Sequence, residues 1–389
     1  MHVAVVSNAA AGHGAAPALY AAHVAPWLRD VVRGDASHIA TYTTEPEHGA
    51  RRIGAQLAHE PPSMLVVLGG DGTLHELLEG LLGARARLAH PVQVVLVPTG
   101  TANALYASLY RPTLPAADAA DADAWRLRAL GARDAAAPAQ ALTVLRVHAP
   151  AAHLACVVTS HALHAAILRD SEALRAEHPG VERFKMAAMQ NVATWYRARL
   201  TLHAGACGVR VYRPQADAFE DVGDDYERTD AGDVVVDGPF VYMNAMVVER
   251  LEPTFVPVPF ASGHCRAALR RPHAALDVVV LRPARSPTVR ADADADARRA
   301  FGEGPLTEVL MRGMYSEGAH VAYVYDAEGR VVHQGPGTPV VEYFRAAGYT
   351  WEAHGDEAHT ACIDGTIVHA PRVQVHAQGD AGVVVPVPP

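Results

Sequence analysis

The stretch Gly69-Gly70-Asp71-Gly72-Thr73 combines three glycines with a carboxylate and a hydroxyl, residue types that suit phosphate chemistry. An apolar run of strand length, residues 64–68, precedes it, and leucines with helical spacing follow it. The pattern predicts a strand-to-helix turn, where backbone N–H groups and the helix dipole attract a phosphate. Glycines there can take positive φ and admit a ligand closely. Because a carboxylate repels phosphate, we expect Asp71 to take a proton from an attacking hydroxyl or to hold a metal ion. The bland alternative is an ordinary tight turn.

A second stretch, Pro98-Thr99-Gly100-Thr101-Ala102-Asn103, also follows an apolar run (residues 92–97) and precedes a helical pattern. A third small-residue turn, residues 7–14, follows an apolar run at residues 2–7. Turns at the ends of neighbouring parallel strands face one crevice, so the three are expected to cooperate. Asn103 is either a ligand contact or a helix cap.

The elements that must position these turns alternate between strand and helix patterns. Apolar runs at residues 2–7, 38–43, 64–68 and 92–97 are separated by helical patterns, which predicts a doubly wound parallel α/β domain over residues 1–141. From residue 142 to 389 short strands follow one another, which predicts an antiparallel β-sandwich. The acidic segment 215–237 is expected to be a solvated insertion.

Bulk composition excludes several classes of function. The 389 residues carry a net charge of −9 and are 50% hydrophobic, which argues against a nucleic-acid partner and against a polybasic membrane anchor. No apolar run reaches the ~18 residues of a spanning helix. The chain enters a strand pattern at once, so no signal peptide is expected. The four cysteines are far apart in the sequence, which predicts reduced thiols in the cytoplasm. They are Cys156, Cys207, Cys265 and Cys362.

Together the turns resemble those of the diacylglycerol kinase and sphingosine kinase superfamily of lipid kinases. Residues 8–14 are similar to the family's Asn-Pro-x-x-Gly-x-Gly turn, with Ala9 in place of proline. Residues 44–48 resemble Thr-Glu-x-x-His, residues 69–76 match Gly-Gly-Asp-Gly-Thr-x-x-Glu, and residues 98–103 match Pro-x-Gly-Thr-x-Asn.

The second half of the chain resembles the sphingosine kinase branch in particular. Residues 276–280 are similar to a Leu-Asp-Val-Val-Val strand, and residues 170–175 with 182–184 are similar to a stretch that carries two phosphate-binding arginines. Residues 363–366 resemble a C-terminal Asp-Gly-Glu, except that Thr366 replaces the acid.

The resemblance implies ATP-dependent phosphorylation of a lipid hydroxyl, with nucleotide in a cleft between the two domains and lipid in the second. Asp71 matches the position of the base. Mg²⁺ would be held mainly by ATP and water, with Asp71 as an additional ligand. The ATP contacts carried over are Asn8, Gly12, Thr44, Gly70, Gly72, Thr73, Glu76, Gly100, Thr101, Asn103, Arg175, Arg183, Asp364 and Gly365. The alternative for Arg175 and Arg183 is a pair of solvated helix arginines.

The lipid itself is open to two readings. From the branch resemblance we expect a sphingoid long-chain base, whose ammonium needs an acid near the head group. The alternative is diacylglycerol, ceramide or another neutral lipid, because residues 164–168 contain no acid and the first one is Asp170. Two rivals share parts of the pattern: an NAD kinase, and a non-catalytic lipid- or nucleotide-binding protein.

A lipid kinase must reach its substrate in a bilayer. The segment 251–260 contains three prolines, which forbid a regular helix, together with Phe255 and Phe260. We expect these phenylalanines either to contact the membrane, making the protein peripherally associated, or to pack back on the sandwich.

Overall fold

The computed structural model describes residues 2–32, 38–111, 119–134, 138–178, 182–206, 208–261, 265–290 and 292–387. It divides into two compact units. Unit 1 contains Met1–Val144, Leu251–Pro253 and Gln378–Pro389, and unit 2 contains Leu145–Arg250 and Thr254–Ala377.

Unit 1 is built on a six-stranded sheet in the order β2-β1-β3-β4-β24-β5. Its strands are β1 (Val3–Ser7), β2 (Ile39–Thr43), β3 (Met64–Gly69), β4 (Val92–Pro98), β5 (Ala139–Ala141) and β24 (Val383–Pro386). Strands β1 to β4 and β24 pair in parallel, and β5 pairs antiparallel to β24. The predicted parallel α/β fold is confirmed.

Helices connect these strands. They are α1 (Ala16–Leu19), a π-helical turn (Tyr20–Val24), α2 (Ala25–Val31), α3 (Gly49–Leu57), α4 (Asp71–Leu82), α5 (Ala104–Leu109), α6 (Ala119–Arg126) and α7 (Arg128–Asp134). The interior strands have no polar face: residues 64–69 of β3 are all buried, as a strand covered on both sides requires. The leucines of α4 at 74, 77, 78, 81 and 82 are buried with them.

Unit 2 contains two large sheets of antiparallel pairs and a small three-stranded sheet, which confirms the predicted antiparallel half. The eight-stranded sheet has the order β11-β10-β19-β15-β14-β8-β21-β22. Its strands are β8 (Val158–His161), β10 (Arg210–Arg213), β11 (Ala218–Asp221), β14 (Tyr242–Met246), β15 (Leu276–Leu281), β19 (Glu342–Ala346), β21 (Thr360–Ile363) and β22 (Thr366–His369).

The seven-stranded sheet has the order β12-β13-β9-β20-β23-β6-β7. Its strands are β6 (Val144–Ala149), β7 (Ala151–Ala155), β9 (Ala198–His203), β12 (Glu227–Arg228), β13 (Val234–Asp237), β20 (Gly348–Ala353) and β23 (Arg372–Gln378). The small sheet joins β16 (Val324–Tyr325), β17 (Val331–Val332) and β18 (Thr338–Pro339).

The helices of unit 2 are α8 (Ala162–Ala173), α9 (Glu182–Asn191) and α10 (Ala295–Phe301), which continues into π-helical segments Gly302–Leu306 and Glu308–Met314. Short 3₁₀ turns occur at Gly223–Asp225, Ala267–Leu269, Pro283–Arg285, Ala319–Ala322 and Asp356–Ala358. Among the described residues, no helix is both long and apolar enough to cross a membrane.

Two sequence expectations need correction. We assigned all of residues 142–389 to the second domain, yet Gln378–Pro389 lies in unit 1, because β24 inserts its buried valines between β4 and β5. The acidic segment 215–237, expected to be a solvated insertion, forms regular structure, since it supplies strands β11, β12 and β13. Several of its acids pair with arginines, as Asp221 does with Arg228. No disulfide joins Cys156, Cys265 and Cys362 within the described ranges, and Cys207 lies outside the described residues.

Candidate functional site

Three glycine turns meet at the carboxyl ends of β1, β3 and β4. A Cβ placed on Gly100 would lie 2.5 Å from the Cα of Gly70, and one on Gly12 would lie 2.3 Å from the carbonyl oxygen of Thr99. The turns therefore pack backbone against backbone. Gly12 has a positive φ of 56°, whereas Gly70 has φ −101°. Close approach, rather than the positive φ that we expected, is what requires glycine at positions 70 and 100.

Asn8 and Thr73 bind each other across two of these turns. The Nδ2 of Asn8 donates to the Oγ1 of Thr73 at 2.9 Å, and its Oδ1 accepts from the N–H of Ala10 at 3.1 Å. Thr73 is only 6% exposed. Both were expected to contact ATP, but their side chains fasten the turn after β1 to the start of α4.

The carboxylate of Asp71 caps the neighbouring helix. Its two oxygens accept from the backbone N–H groups of Ala104, at 2.8 Å, and Leu105, at 3.1 Å. These are the first amides of α5, which have no partner within their own helix. Asp71 is itself the first residue of α4, so one acid joins two helix N-termini.

Asn103 occupies the residue before α5 but does not cap it. Its backbone is left-handed, with φ 53°, and its side chain turns back to Gly100, accepting from the N–H at 3.0 Å and donating to the C=O at 2.8 Å. The prediction that the side chain of Asn103 caps α5 is therefore wrong. Asp71 makes the cap, and Asn103 closes the turn after β4.

Gly72 and Thr101 offer the accessible surface of this site. Gly72 is exposed in the first turn of α4, and no atom lies within 4 Å of where its Cβ would be. Thr101 is also exposed. Beside it the hydroxyl of Thr99 is buried and makes no hydrogen bond within the part of the chain that the structure describes.

Thr44 and Glu76 lie at the edge of the same group of turns. The backbone N–H of Thr44 donates to the carbonyl of Ser7 at 3.0 Å. The carboxylate of Glu76 lies 3.2 Å from the Nδ1 of His48. The backbone of His48, the residue before α3, is left-handed. The pair between His48 and Glu76 was not predictable from the motif at residues 44–48, because no local signal joins residues 28 apart.

The two predicted phosphate-binding arginines lie in unit 2. Arg175 pairs with Glu172 at 2.7 Å, and both side chains are more than half exposed. The guanidinium of Arg183 lies 4.3 Å from the ring centre of Phe184. The structure thus gives Arg175 a local partner of the kind expected for a solvated helix arginine.

Asp364 has a role that the sequence did not indicate. Its buried carboxylate accepts from three consecutive backbone N–H groups, those of Cys156, Val157 and Val158, at 2.6 to 3.0 Å. We expected it to close over a nucleotide, but the carboxylate instead holds the turn between β7 and β8. Gly365, with φ 95°, is exposed and has open space around it.

The two phenylalanines expected at the membrane differ in their surroundings. Phe260 belongs to an aromatic cluster, with ring centres 4.9 Å from Tyr212 and 5.6 Å from Tyr343, and its carbonyl accepts from Arg345. Packing back on the sheet is therefore the better description for Phe260. Phe255 is half-buried and lies 4.9 Å from the ring of Tyr315.

No group of three His, Cys, Asp or Glu side chains within the described ranges is arranged to hold a metal ion. This includes the described acids of segment 215–237.

Comparison with known proteins agrees with this geometry. Residues 2–130 match the family model for the diacylglycerol kinase catalytic domain. No curated protein matches the chain. Two solved structures from Bacillus anthracis str. Sterne align with 100% of this chain and 97% of their own. One is a provisionally named diacylglycerol kinase (TM-score 0.57, 14% identity), and the other is called a diacylglycerol kinase (TM-score 0.54, 12% identity). At these identities the likeness shows a shared fold.

Proposed function

We propose that this chain, a lipid kinase by the catalytic domain in its residues 2–130, transfers the γ-phosphoryl group of ATP to a hydroxyl of a lipid. The observation that carries the proposal is the convergence of three glycine turns on Gly100 beside the open first turn of α4. Such an arrangement presents backbone N–H groups and a helix N-terminus to an anion.

The phosphates of ATP are proposed to lie against the first turn of α4. Gly72 is exposed there, and without a side chain it lets phosphate oxygens approach the backbone. Gly12, Gly70 and Gly100 shape this surface by allowing the turns to touch. Asn8, Thr73 and Asn103 act on it indirectly, by holding the turns. Thr44, Glu76 and Thr101 are proposed as direct contacts, and on the sequence resemblance Arg175, Arg183 and Gly365 are proposed as contacts too.

Asp71 is proposed to be ionised before the reaction and to take the proton that the attacking hydroxyl releases as its oxygen bonds to the γ-phosphorus of ATP. Hydrogen bonds from two amides at the start of α5 favour a carboxylate over a carboxylic acid. A carboxylate oxygen can accept a hydrogen bond from the attacking hydroxyl and then its proton. Phosphoryl transfer depends mainly on positioning and charge neutralisation, so orienting the hydroxyl matters more than strong basicity.

Mg²⁺ would neutralise phosphate charge when it is bound. The ion is proposed to be carried chiefly by ATP and water, with Asp71 as the protein carboxylate that would hold it.

The lipid head group is proposed to be neutral. A sphingoid base would need a carboxylate free to pair with its ammonium. Asp170 accepts from Arg169 at 2.6 and 2.9 Å and from Asn191 at 2.7 Å, so it is already paired. Nearby, Ser160 and His164 bond to each other at 2.7 Å, and burial lowers the pKa of His164 to about 4, leaving an uncharged imidazole. A sphingoid long-chain base is the second candidate, favoured by the sequence resemblance of unit 2.

The deciding experiment offers radiolabelled ATP with diacylglycerol, ceramide, a sphingoid base and NAD in parallel. We expect label in a neutral lipid, and none in NAD. Label in NAD alone would make the chain an NAD kinase, whereas ATP binding without any transfer would make it a non-catalytic binding protein. We further propose that the protein works in the cytoplasm as a peripheral membrane protein, since its substrate lies in a bilayer.

A further inference from the structure

Large hydrophobic side chains are exposed at three described positions, and two of them are neighbours in sequence. Met311 is 61% exposed and Tyr315 is 42% exposed, whereas the third, Met189 (69%), lies on α9. Met311 and Tyr315 are four residues apart at the end of the π-helical segment Glu308–Met314, about one turn from each other.

Phe255 adds a third apolar side chain to this place. Its ring lies 4.9 Å from that of Tyr315. The proline-containing segment that carries it is held at the two residues after Phe255: Val256 N–H donates to the carbonyl of Met314 at 2.9 Å, and Nε2 of His320 donates to the carbonyl of Pro257 at 3.0 Å. We call Phe255, Met311 and Tyr315 the hydrophobic edge of unit 2. Because the backbone beneath it is held, its exposure is a property of the fold.

The charges around the hydrophobic edge are paired and leave no net positive charge. Arg312, between Met311 and Tyr315, pairs with Glu308 at 3.4 Å, and His333 contacts the same carboxylate at 2.8 Å. Glu317 pairs with Arg250. With local charges paired and a net charge of −9 for the chain, electrostatic attraction to an anionic surface is not available.

We propose that the hydrophobic edge is the surface by which this protein contacts a lipid bilayer, and that it does so through apolar insertion rather than charge. The inference rests on the proposed lipid kinase function, which requires access to a substrate in a membrane. Tyrosine is a residue type that settles at the membrane–water boundary, where its ring is buried and its hydroxyl stays wet.

A bilayer fits the hydrophobic edge better than a second protein. A stable protein interface buries about 800 Å² on each partner, with a packed apolar centre. Three side chains, one of them already half-buried, fall short of that. A few inserted side chains are, however, enough for reversible partitioning, because each buried apolar group adds its own contribution.

The test measures co-sedimentation with phosphatidylcholine vesicles for the full chain and for Met311→Ser with Tyr315→Ser. We expect the double variant to partition at least about tenfold less well, and the wild-type partitioning to change little between low and high salt. Met189→Ser is the matched control, an exposed methionine on another helix, and should bind as the wild type does. Met311→Trp should bind vesicles more tightly. Because unfolding could not produce tighter binding, this variant separates a change in binding from a loss of folding.

Other outcomes would overturn the proposal. Unchanged vesicle binding in a folded double variant, an equal loss in Met189→Ser, or a salt-sensitive preference for phosphatidylserine would each do so. The proposal would also fail if the protein without vesicles had a mass above that of the monomer and the double variant had the monomer mass. The hydrophobic edge would then be an interface between copies of the chain. Activity on detergent-dispersed lipid separates the two ideas: its absence in the wild type would remove the kinase proposal, whereas its survival in the double variant is expected.

Discussion

Asp71 combines a structural and a chemical task in one carboxylate. Replacing it by asparagine keeps the size but leaves an NH₂ group facing the amides of Ala104 and Leu105, two donors that need an acceptor. We expect Asp71→Asn to lower kcat by roughly 10²–10⁴-fold, the range typical of a removed acid–base group. Loss of a cap should also cost about 0.5–2 kcal/mol of stability.

Calorimetry and ATP titration separate these two effects. ATP affinity should stay close to wild type in Asp71→Asn, while the melting temperature falls by a few degrees. Turnover near the wild-type rate would remove Asp71 from the chemistry and leave it only as a helix cap.

Gly72 gives the cleanest test of phosphate binding. Gly70→Ala and Gly100→Ala would disturb the contact between turns, since the added Cβ would meet backbone at 3.0 and 2.5 Å. Gly72→Ala meets no protein atom, so the fold should tolerate it, and the new methyl group would instead face the ligand. We expect KM for ATP to rise about tenfold or more, with KM for lipid unchanged.

Gly131→Ala is the matched control for Gly72→Ala. It is also a helical glycine of unit 1 with open space at its Cβ. Both variants should gain slightly in stability, because alanine favours helix. If Gly72→Ala left both KM values unchanged, the first turn of α4 would not bind nucleotide.

Contacts between site residues were predictable from the sequence only where the residues are close together along the chain. The turns were predictable because each is a local pattern of glycines between a strand and a helix. Asn8 with Thr73, and Asp71 with Ala104, join residues 65 and 33 apart, so their contacts depend on how strands neighbour each other. Asp364 was misplaced for the same reason: its three amide partners are more than 200 residues away.

At the scale of elements, β24 shows the limit of reading a chain in order. Alternation of helix and strand signals the parallel sheet of β1 to β4, since each crossover is local. A four-residue apolar strand at the other end of the chain carries no mark of its partner. Its pairing with β4 in parallel and with β5 antiparallel was therefore not predictable.

This strand should matter for the nucleotide site although it is far from the motifs in sequence. Val383 has no exposed surface and lies beside β4, which carries the Pro98–Asn103 turn. Val383→Asp would bury an unpaired charge and should cost about 3 kcal/mol or more. We expect a lower melting temperature and weaker ATP binding. Val384→Asp, at the half-buried neighbouring position, should cost less; equal effects would contradict the assignment of faces.

At the scale of the whole molecule, some of the 22 histidines are completely buried inside unit 2. His161 and His320 have no exposed surface. Burial lowers the pKa of His161 to about 3 and that of His320 to about 4, from an ordinary value of 6.5. His161 stacks on Trp351 at 4.4 Å and contacts the hydroxyl of Tyr349 at 3.2 Å. Both imidazoles are therefore neutral in the folded protein.

A stability loss at mildly acid pH follows. Burial lowers the pKa of His164 to about 4 as well. The unfolded chain binds protons at these three side chains below pH 6.5, whereas the folded chain does not until about pH 4 or lower, so stability is full above pH 6.5 and falls as the pH drops toward 4. At pH 5.5 each group contributes a loss of about 1 kcal/mol, a few kcal/mol together. Thermal melting followed at pH 7 and 5.5 should show this drop. His161→Phe keeps the stacked ring without the titration and should show about two thirds of it, while His59→Gln, on the surface of unit 1, should melt with the wild-type pH dependence. Equal losses in His161→Phe and the wild type would mean that other groups govern the acid sensitivity.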